Sequence, residues 1–265
     1  MTALAMDGVV LQAEMVAAVR AEIEASHPSV GDGDGSPSTC LATVVVGDNP
    51  RCHIFARDKR AAAAEAGMRT VTVDLTGAAT QEEVEDAISR LADDPTVHGI
   101  FVQLPVSGHV DLDRIIELVP PAKDVDARRG DSPLAPTGAM AVVALLDRYE
   151  IRLAGQRVVV VGRVRGFEEL LAGRGAQVIL TGEAVPDVCR GADILVAAAG
   201  RPRTIGPDHV RRGAAVVDVT GDIDRGPVED VAGAIAPYPA AVGPVAVACL
   251  LRNTLTAHRA RVPGR

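Results

Sequence analysis

Short, almost entirely apolar runs alternate along this chain with segments that carry the periodicity of helices. In the second half these runs have the sequences RVVVVG, AQVILTG, DILVAAAG and AAVVDVTG, at residues 157–162, 176–182, 193–200 and 214–221. Near-continuous apolar runs are typical of parallel strands that are covered on both faces. In the first half, similar runs occupy residues 41–46, 69–75 and 99–105. The alternation predicts βαβ units, and therefore an α/β fold with parallel sheets in both halves.

Helical segments are predicted where apolar residues recur three or four positions apart. They cover residues 8–25, 49–67, 80–94, 111–118, 138–149 and 243–259. Residues 27–40 are rich in Gly, Ser, Pro and Asp and predict a mobile surface loop. Residues 119–138 combine prolines, charges and turn residues and indicate a domain junction. We therefore predict an N-terminal α/β domain at 1–122, a Rossmann-like domain at 123–242, and a final helix within 243–265 that packs back across both.

The composition argues against several classes of partner. Of the 265 residues 48% are hydrophobic but only 2% are aromatic, so the cores must be built from Ala, Val, Leu and Ile. A net charge of −8 disfavours nucleic acid and anionic membranes, which need clustered positive charge. The cysteines lie far apart without a CxxC pair and predict neither a metal site nor disulfides. They are Cys40, Cys52, Cys189 and Cys249. Because no targeting sequence or long apolar span is evident, we predict a cytoplasmic protein.

Lys59 interrupts the small and apolar stripe of the helix at 49–67. The stripe consists of Cys52, Phe55, Ala56, Ala63 and Ala66. An ammonium group on such a face must reach water, find a partner, or have its pKa changed. A lone lysine at the edge of a stripe usually reaches solvent, and this alternative stays open. Gln103 ends an apolar strand where open α/β sheets place ligand crevices, although a core glutamine can also simply bind backbone groups.

Six segments in a fixed order carry a resemblance to one family. They are VGDNP…K at 46–59, GIFVQLP at 99–105, KDVD at 123–126, VVVVGR at 158–163, ADILVAAAG at 192–200 and VGPVAVACLLRNTL at 242–255. Over nearly its whole length the chain resembles the bifunctional methylenetetrahydrofolate dehydrogenase/methenyltetrahydrofolate cyclohydrolases. The resemblance implies a cleft between a catalytic domain, which binds a tetrahydrofolate derivative as substrate, and an NADP-binding Rossmann domain. It also implies a homodimer.

The resemblance implies roles for three polar residues of the first domain. Lys59 matches the lysine that serves the cyclohydrolase step, and Gln103 matches the glutamine that adjusts the pKa of that lysine. Asp126, the second aspartate of KDVD, matches the residue that holds the pterin ring. A lysine suits this task because burial lowers its pKa toward neutrality, where it can exchange protons with the attacking water.

The first domain departs from the family at positions that contact the substrate. The family tyrosine four residues before the lysine is Phe55 here, so the ring can still stack on a pterin but the hydroxyl group is lost. Cys52 replaces a family serine, and PLAP at 133–136 replaces Pro-Cys-Thr-Pro. Pro244, in the final motif, is also assigned to the substrate site by the resemblance. The chain between KDVD and PLAP is shorter than in the family.

The second domain departs further, at the glycine loop that would bind a dinucleotide. Gly162 and Gly166 remain, and Arg163 matches a family position near the cofactor, but the loop is shortened. Glu168 and Glu169 fall in the expected first turn of the following helix. Carboxylates there already satisfy the helix dipole and would repel a pyrophosphate.

Other positions that would contact the cofactor also differ from the family in ways that disfavour NADP binding. Glu183 lies 21 residues beyond Gly162, where NAD sites carry the acid that binds a ribose 2′-hydroxyl, and it would disfavour NADP. The loop near 218–224 is shorter than in the family, and PAA at 239–241 replaces Pro-Gly-Gly. Together these changes indicate a lost or remodelled nucleotide site, so the expected cofactor is NADP, NAD or neither.

The sequence leaves three hypotheses about function. The first is an enzyme that acts on methylene- or methenyltetrahydrofolate by cyclohydrolase-type hydrolysis, or by release or transfer of the carbon, with hydride transfer weakened or lost. The second is the complete NAD(P)-dependent dehydrogenase/cyclohydrolase. The third is a catalytically silent folate-binding paralogue.

Overall fold

A computed structural model describes residues 3–26, 39–162 and 164–261 of the chain. The strands are β1 (Leu4–Ala5), β2 (Cys40–Val46), β3 (Arg69–Leu75), β4 (Gly99–Gln103), β5 (Arg157–Val161), β6 (Gln177–Thr181), β7 (Ile194–Ala197), β8 (Ala215–Asp218) and β9 (Ala234–Ala236). The α-helices are α1 (Gly8–Ser26), α2 (Pro50–Glu65), α3 (Gln81–Asp93), α4 (Leu112–Glu117), α5 (Thr137–Arg148), α6 (Phe167–Ala172), α7 (Pro186–Cys189), α8 (Arg225–Glu229) and α9 (Val242–Arg261). Short 3-10 helices cover Pro121–Lys123 and Pro207–His209.

The chain divides into two compact units. The three-stranded unit comprises residues 14–135 and 247–265, and the six-stranded unit comprises residues 1–13 and 136–246. Each unit contains one sheet in which all described pairs of strands are parallel. The predicted fold class, two α/β domains with parallel sheets of which the second is Rossmann-like, is confirmed.

The sheet of the three-stranded unit has the order β3-β2-β4. All seven residues of the central strand β2 are buried, whereas every residue of the edge strand β3 is exposed or half-buried. One hydrophobic cluster joins β2 and β4 to residues of α9, including Leu250, Leu251 and Leu255. A second cluster packs α3 against the sheet through Val84 and Ile88. Both faces of β2 are therefore covered, as its continuous apolar sequence predicts.

Local signals in the sequence set the ends of α2 and α3. The Asn49 side chain accepts a hydrogen bond from the Arg51 backbone N–H, and Pro50 occupies the first helical position, where no amide hydrogen is needed. Gly67, with φ of 78°, follows the end of α2. At α3, Thr80 and Glu83 form a reciprocal capping box. These caps fix the loops that lead from β2 into α2 and from β3 into α3.

The six-stranded sheet has the order β1-β9-β8-β7-β5-β6. The strand β5 lies between β6 and β7, so the direction in which strands are added reverses at this position. In open parallel sheets such a reversal opens a crevice at the carboxyl ends of the strands, where ligands bind. The four valines of β5 are buried and form the centre of this sheet.

Most predicted elements agree with the structure to within one or two residues. The strands β1 and β9 and the helices α7 and α8 were not predicted. The predicted loop at 27–40 lies mostly outside the described residues, but Thr39 and Cys40 are buried and Cys40 begins β2. None of the helices in the described part of the chain is long and apolar enough to cross a bilayer.

The domain boundaries differ from the predicted ones. Residues 123–135, which the prediction assigned to the second domain, belong to the three-stranded unit. They are held there because Asp124 forms a β-bridge with Ile100, and because the Asn253 side chain donates to the carbonyl oxygens of Val125 and Ala135. Residues 1–13, predicted in the first domain, belong to the six-stranded unit because β1 pairs with β9. The unit boundary also falls within α9, after residue 246.

Candidate functional site

Lys59 lies on α2 beside the buried stripe of that helix. Cys52, Ala56 and Ala63 of the stripe are buried as predicted, whereas Lys59 itself is half-buried. The Lys59 Nζ atom donates to the Oε1 atom of Gln103 at 2.9 Å. The structure thus brings together the predicted lysine and glutamine, although 44 positions separate them in the chain.

Two aromatic rings flank the same ammonium group. The Lys59 Nζ atom lies 4.7 Å from the ring centroid of Phe101 and 5.8 Å from that of Phe55. The face of an aromatic ring attracts a cation over such distances. Phe101 belongs to β4 and is buried, whereas Phe55 is 43% exposed. Phe55 was predicted within the apolar stripe, but it lies at the exposed edge, where its ring is accessible to a planar ligand.

The environment lowers the pKa of Lys59 to about 8. Desolvation by burial is the largest cause, because a partly dehydrated ammonium group is less stable than a neutral amine. The negative charges of Asp126 and Asp58 act in the opposite direction and raise the pKa. The amine therefore titrates close to neutral pH, as a group that both accepts and donates protons must.

Gln103 is the buried last residue of β4, and its amide is oriented by two hydrogen bonds. The Nε2 atom donates to the Leu104 carbonyl oxygen at 2.8 Å, which leaves the Oε1 atom directed at Lys59. An amide oxygen can accept from the ammonium group without adding the full negative charge that would hold the lysine permanently protonated. The contact with Gln103 therefore leaves Lys59 able to change its protonation state.

The two aspartates of KDVD have different environments. Asp126 forms an ion pair with Arg128, with 2.9 Å between its Oδ2 atom and Nε, and its charge also acts on Lys59. Asp124 is buried, accepts from the Arg129 backbone N–H at 2.8 Å, and has its pKa raised by burial. Asp124 thus stabilises the turn, while Asp126 is the aspartate of this motif whose charge acts on Lys59.

Cys52 also lies near this group but is fixed in a structural position. Its Sγ atom donates to the carbonyl oxygens of Leu104 and Pro105, at 3.5 and 3.6 Å. Burial raises the pKa of the Cys52 thiol, so a thiolate nucleophile is disfavoured there. Its contacts with the backbone after β4 help to place the segment that begins at Gln103.

The remaining predicted residues belong to the six-stranded unit, and the two glycines have structural reasons to be glycine. Gly162 has φ of 129°, and a Cβ atom there would lie 2.2 Å from the Ala198 carbonyl oxygen. Gly166 has φ of 72°, and its Cβ would lie 2.4 Å from the Pro136 Cγ atom. Both residues are therefore explained by a positive φ together with a close neighbour, the backbone of Ala198 for Gly162 and the side chain of Pro136 for Gly166. Pro244 is half-buried in α9, and Arg163 lies outside the described residues.

The carboxyl edge of the six-stranded sheet fits a dinucleotide only in part. Glu183 follows β6 by two residues, a position from which an acid can accept from a ribose hydroxyl. Exposed Glu168 and Glu169 occupy the first turn of α6, the position at which a pyrophosphate needs free N–H groups. The position of Glu183 is therefore compatible with binding of an adenosine ribose, whereas Glu168 and Glu169 make the binding of a pyrophosphate unfavourable.

Sequence reasoning missed Lys123, which belongs to the same KDVD motif. Its Nζ atom donates to the carbonyl oxygens of Leu91, Ala92 and Asp94, at 3.0, 2.6 and 2.7 Å. These are groups at the carboxyl end of α3, and Lys123 is buried against them. Its partners lie 29 to 32 positions earlier in the chain, so local periodicity carried no signal for this contact. Within the described residues, no group of three or more His, Cys, Asp or Glu side chains could hold a metal ion.

Two family models match consecutive parts of the chain. The tetrahydrofolate dehydrogenase/cyclohydrolase catalytic domain matches residues 6–126, and the NAD(P)-binding domain described for the same proteins matches residues 136–262. The chain is 38% identical to the Bifunctional protein FolD 2 of Frankia alni, with 98% of this chain and 97% of that protein covered. It is also 38% identical to the Bifunctional protein FolD of Methanoculleus marisnigri, with coverage of 84% and 88%.

Solved structures show the same relationship. The bifunctional FolD dehydrogenase/cyclohydrolase of Campylobacter jejuni has a TM-score of 0.86 at 30% identity and covers 97% of this chain and 99% of its own. The methylenetetrahydrofolate dehydrogenase-cyclohydrolase of Trypanosoma brucei, solved in complex with NADP and an inhibitor, has a TM-score of 0.87 at 29% identity, with both chains fully covered.

Proposed function

Because the chain belongs to the tetrahydrofolate dehydrogenase/cyclohydrolase family, we propose that it acts on a one-carbon unit carried by tetrahydrofolate without obligatory hydride transfer. The favoured reaction is the hydrolysis of methenyltetrahydrofolate, with release or transfer of the carbon as variants of the same chemistry. The contact between Lys59 and Gln103 is the observation that carries this proposal. The pKa of about 8 for Lys59 supports it, because the amine can then exchange protons near neutral pH.

In this proposal Lys59 acts as the base and then as the acid. Its neutral amine takes a proton from the water whose oxygen attacks the methenyl carbon, which gives a neutral hydroxylated adduct. The Lys59 ammonium group then returns a proton to the departing ring nitrogen as the carbon–nitrogen bond breaks. The hydroxyl proton of the adduct leaves as the carbonyl group of the formyl product forms. The balance is one water consumed and one proton released.

The neighbouring residues would support these proton transfers. The Gln103 Oε1 atom accepts from the ammonium group each time it forms, and the Phe101 ring face offers it a second favourable contact. Asp126 would accept hydrogen bonds from the pterin ring, and the exposed Phe55 ring would stack on it. Cys52 and Pro244 are retained as substrate-site residues because of the family resemblance alone. A homodimer and a cytoplasmic location likewise stay predictions from sequence.

The complete NAD(P)-dependent dehydrogenase/cyclohydrolase is the second candidate. The match of residues 136–262 to an NAD(P)-binding domain favours it, and a bound nicotinamide would supply hydride transfer. Glu168 and Glu169 in the first turn of α6 argue against a tightly bound pyrophosphate. For this reason hydride transfer is proposed to be weak or lost.

Lys59→Met tests the proposed chemistry directly. We expect the rate of methenyltetrahydrofolate hydrolysis, followed by loss of the methenyl absorbance, to fall by a factor of about 100 or more, as is usual when a general acid–base group is removed. Arg60→Met makes the same type of change at the exposed neighbouring residue and should leave the rate within a few-fold of the original. If Lys59→Met hydrolysed the substrate at the original rate, the mechanism would be wrong.

Rapid reduction of NADP or NAD in the presence of methylenetetrahydrofolate would favour the second candidate.

A further inference from the structure

Arg128 pairs with Asp126 in the turn at the end of the KDVD motif. The Nε atom of Arg128 donates to the Oδ2 atom of Asp126 at 2.9 Å. Ala127, which lies between them, is buried and has φ of 51°, in the left-handed region, so the backbone turns sharply at this residue. The turn brings two side chains that are two positions apart in the chain into contact.

Buried contacts fix the backbone of this turn. Val125 is fully buried in the core of the three-stranded unit. The Asp124 carbonyl oxygen accepts from the Ala127 backbone N–H at 3.0 Å, and the Asp124 carboxylate accepts from the Arg129 backbone N–H at 2.8 Å. The ion pair therefore extends from a backbone that is held in place on both sides.

Two carboxylates act on the Lys59 ammonium group, and each has an arginine partner. Asp58, the neighbouring residue on α2, accepts from Arg57, and both side chains are more than half exposed, so water and salt screen that pair. Only 13% of the Asp126 side chain is exposed, and its charge acts more strongly on Lys59 than that of Asp58. Cys52, a third titratable group that acts on Lys59, has its pKa raised by burial and stays uncharged.

The partner of Asp126 determines how firmly Lys59 holds its proton. Gln103 accepts from the ammonium group but carries no charge. A carboxylate near an ammonium group stabilises its charged form, and a cation bound to that carboxylate offsets part of this effect. Arg128 supplies such a cation to Asp126. Asp124 is buried in the same turn, so the charge of Arg128 also reduces the repulsion between the two aspartates.

We propose that Arg128 is a positioning residue for Lys59: by pairing with Asp126, it offsets the negative charge that would otherwise hold the Lys59 amine in its protonated form. The inference rests on the proposed function, in which Lys59 must lose its proton before it can activate water, and it assigns the regulation of that step to Arg128. Arg128 acts only through Asp126 and takes no part in the proton transfers. All three residues belong to the three-stranded unit.

Arg128→Gln should raise the pKa of Lys59 by on the order of half a unit or more, because Asp126 would lose this cationic partner. The reactivity of Lys59 toward an acetylating reagent, followed against pH by mass spectrometry, gives this pKa without any substrate. Arg128→Lys keeps the positive charge and should keep most of the original value. The double variant Arg128→Gln with Asp126→Asn should not show the increase, because the carboxylate charge is removed as well.

Arg114→Gln is the control for net charge. Arg114 lies on α4 of the same unit, and its guanidinium group pairs with Glu85 at 2.8 Å. Its replacement should leave the pKa of Lys59 unaltered.

The pH profile of methenyltetrahydrofolate hydrolysis gives a second measurement. Arg128→Gln should move the rise of the rate with pH upward by the same amount, which makes the rate at pH 7 about threefold lower and restores it at higher pH. A merely structural change would instead lower the rate at every pH value.

Several outcomes would overturn the proposal. They are an unchanged or lower pKa of Lys59 in Arg128→Gln, an equal increase in Arg114→Gln, and an increase that persists in the double variant. The acetylation measurement needs no folate and no turnover. It can therefore fail or succeed independently of Lys59→Met, which tests the proposed function.

Discussion

Lys59 and Lys123 are the only lysines in the sequence, and in the structure both donate to uncharged oxygen atoms. Burial lowers the pKa of each. They differ in the number of acceptors: Lys123 binds three carbonyl oxygens, whereas Lys59 binds one amide oxygen beside two aromatic rings. Lys123, with three hydrogen-bond acceptors, is suited to a structural role. Lys59, with one amide acceptor, keeps the freedom to exchange a proton.

Phe101→Leu should lower the pKa of Lys59 by on the order of half a unit to one unit. The ring face stabilises the ammonium form, and a leucine side chain keeps most of the volume but removes that attraction. Competitive acetylation across a pH series, read by mass spectrometry, measures the pKa of each of the two lysines without an activity assay. Phe167→Leu makes the same change in the six-stranded unit and should leave the value unaltered. An unchanged or higher pKa in Phe101→Leu would contradict the cation–π contribution.

His98 makes the stability of the chain sensitive to acid. Its Nδ1 atom accepts from the Cys40 backbone N–H at 3.1 Å, and its ring lies 4.0 Å from that of His258. Burial, followed by the charges of His258, Arg261, Lys123 and Arg69, lowers its pKa from the usual 6.5 to about 4. The neutral ring is therefore the form that the folded state favours, and protonation would break the bond to Cys40.

The contribution of neutral His98 to the free energy of unfolding is expected to be complete above pH 6.5. As the pH falls from 6.5 toward 4, the free energy of unfolding should decrease by on the order of 3 kcal/mol. Urea unfolding at a series of pH values measures it. His98→Asn keeps an acceptor for the Cys40 N–H but does not titrate, so its free energy of unfolding should vary less between these pH values. An identical pH dependence in both proteins would show that His98 is not responsible.

At the scale of elements, Lys123 acts as a distant cap for the carboxyl end of α3. Lys123→Met should lower the free energy of unfolding by about 2–3 kcal/mol, because three carbonyl oxygens would lose the buried Lys123 side chain as their donor. Thr80→Ala, at the other end of the same helix, removes one side of the capping box and should cost about 1 kcal/mol. Urea unfolding of the two variants measures the difference. A cost for Lys123→Met no larger than that of Thr80→Ala would show that its three hydrogen bonds contribute little.

The sequence predicts the longer elements well because their signals are local. A continuous apolar run such as that of β2 indicates a doubly covered strand wherever it occurs. The strands β1 and β9 contain two and three residues, too few to show a period, and they exist because of pairing between distant parts of the chain. Contacts between side chains that are distant in the chain are equally hard to predict. The sequence linked Lys59 to Gln103 only through the resemblance to a family. The spacing of residues gave no signal for the ion pair between Glu183 and Arg201.

At the scale of the whole molecule, the two units are interleaved along the chain. The three-stranded unit depends on residues 247–265, because α9 contributes Leu250, Leu251 and Leu255 to the core cluster that also contains Leu41 and Phe101. The predicted boundaries missed this arrangement, since sequence composition marks linkers but does not show which distant segments pack together.

Removal of residues 247–265 should therefore prevent cooperative folding of the three-stranded unit. Hydrogen exchange should show loss of protection in β2 and β4, because their apolar face would be exposed to water. Removal of residues 262–265 alone leaves α9 complete and serves as the control. Retention of full protection in the longer truncation would mean that the core does not depend on α9.

The pairing of β1 with β9 also has a consequence for biosynthesis. Leu4 is translated before its partner Ala234, which follows it by more than two hundred residues. At roughly 5–20 residues per second, the nascent chain spends at least on the order of ten seconds without the strand that completes this edge. The strand β1 is thus translated long before the strand with which it pairs, and it can enter the sheet only after β9 has been made.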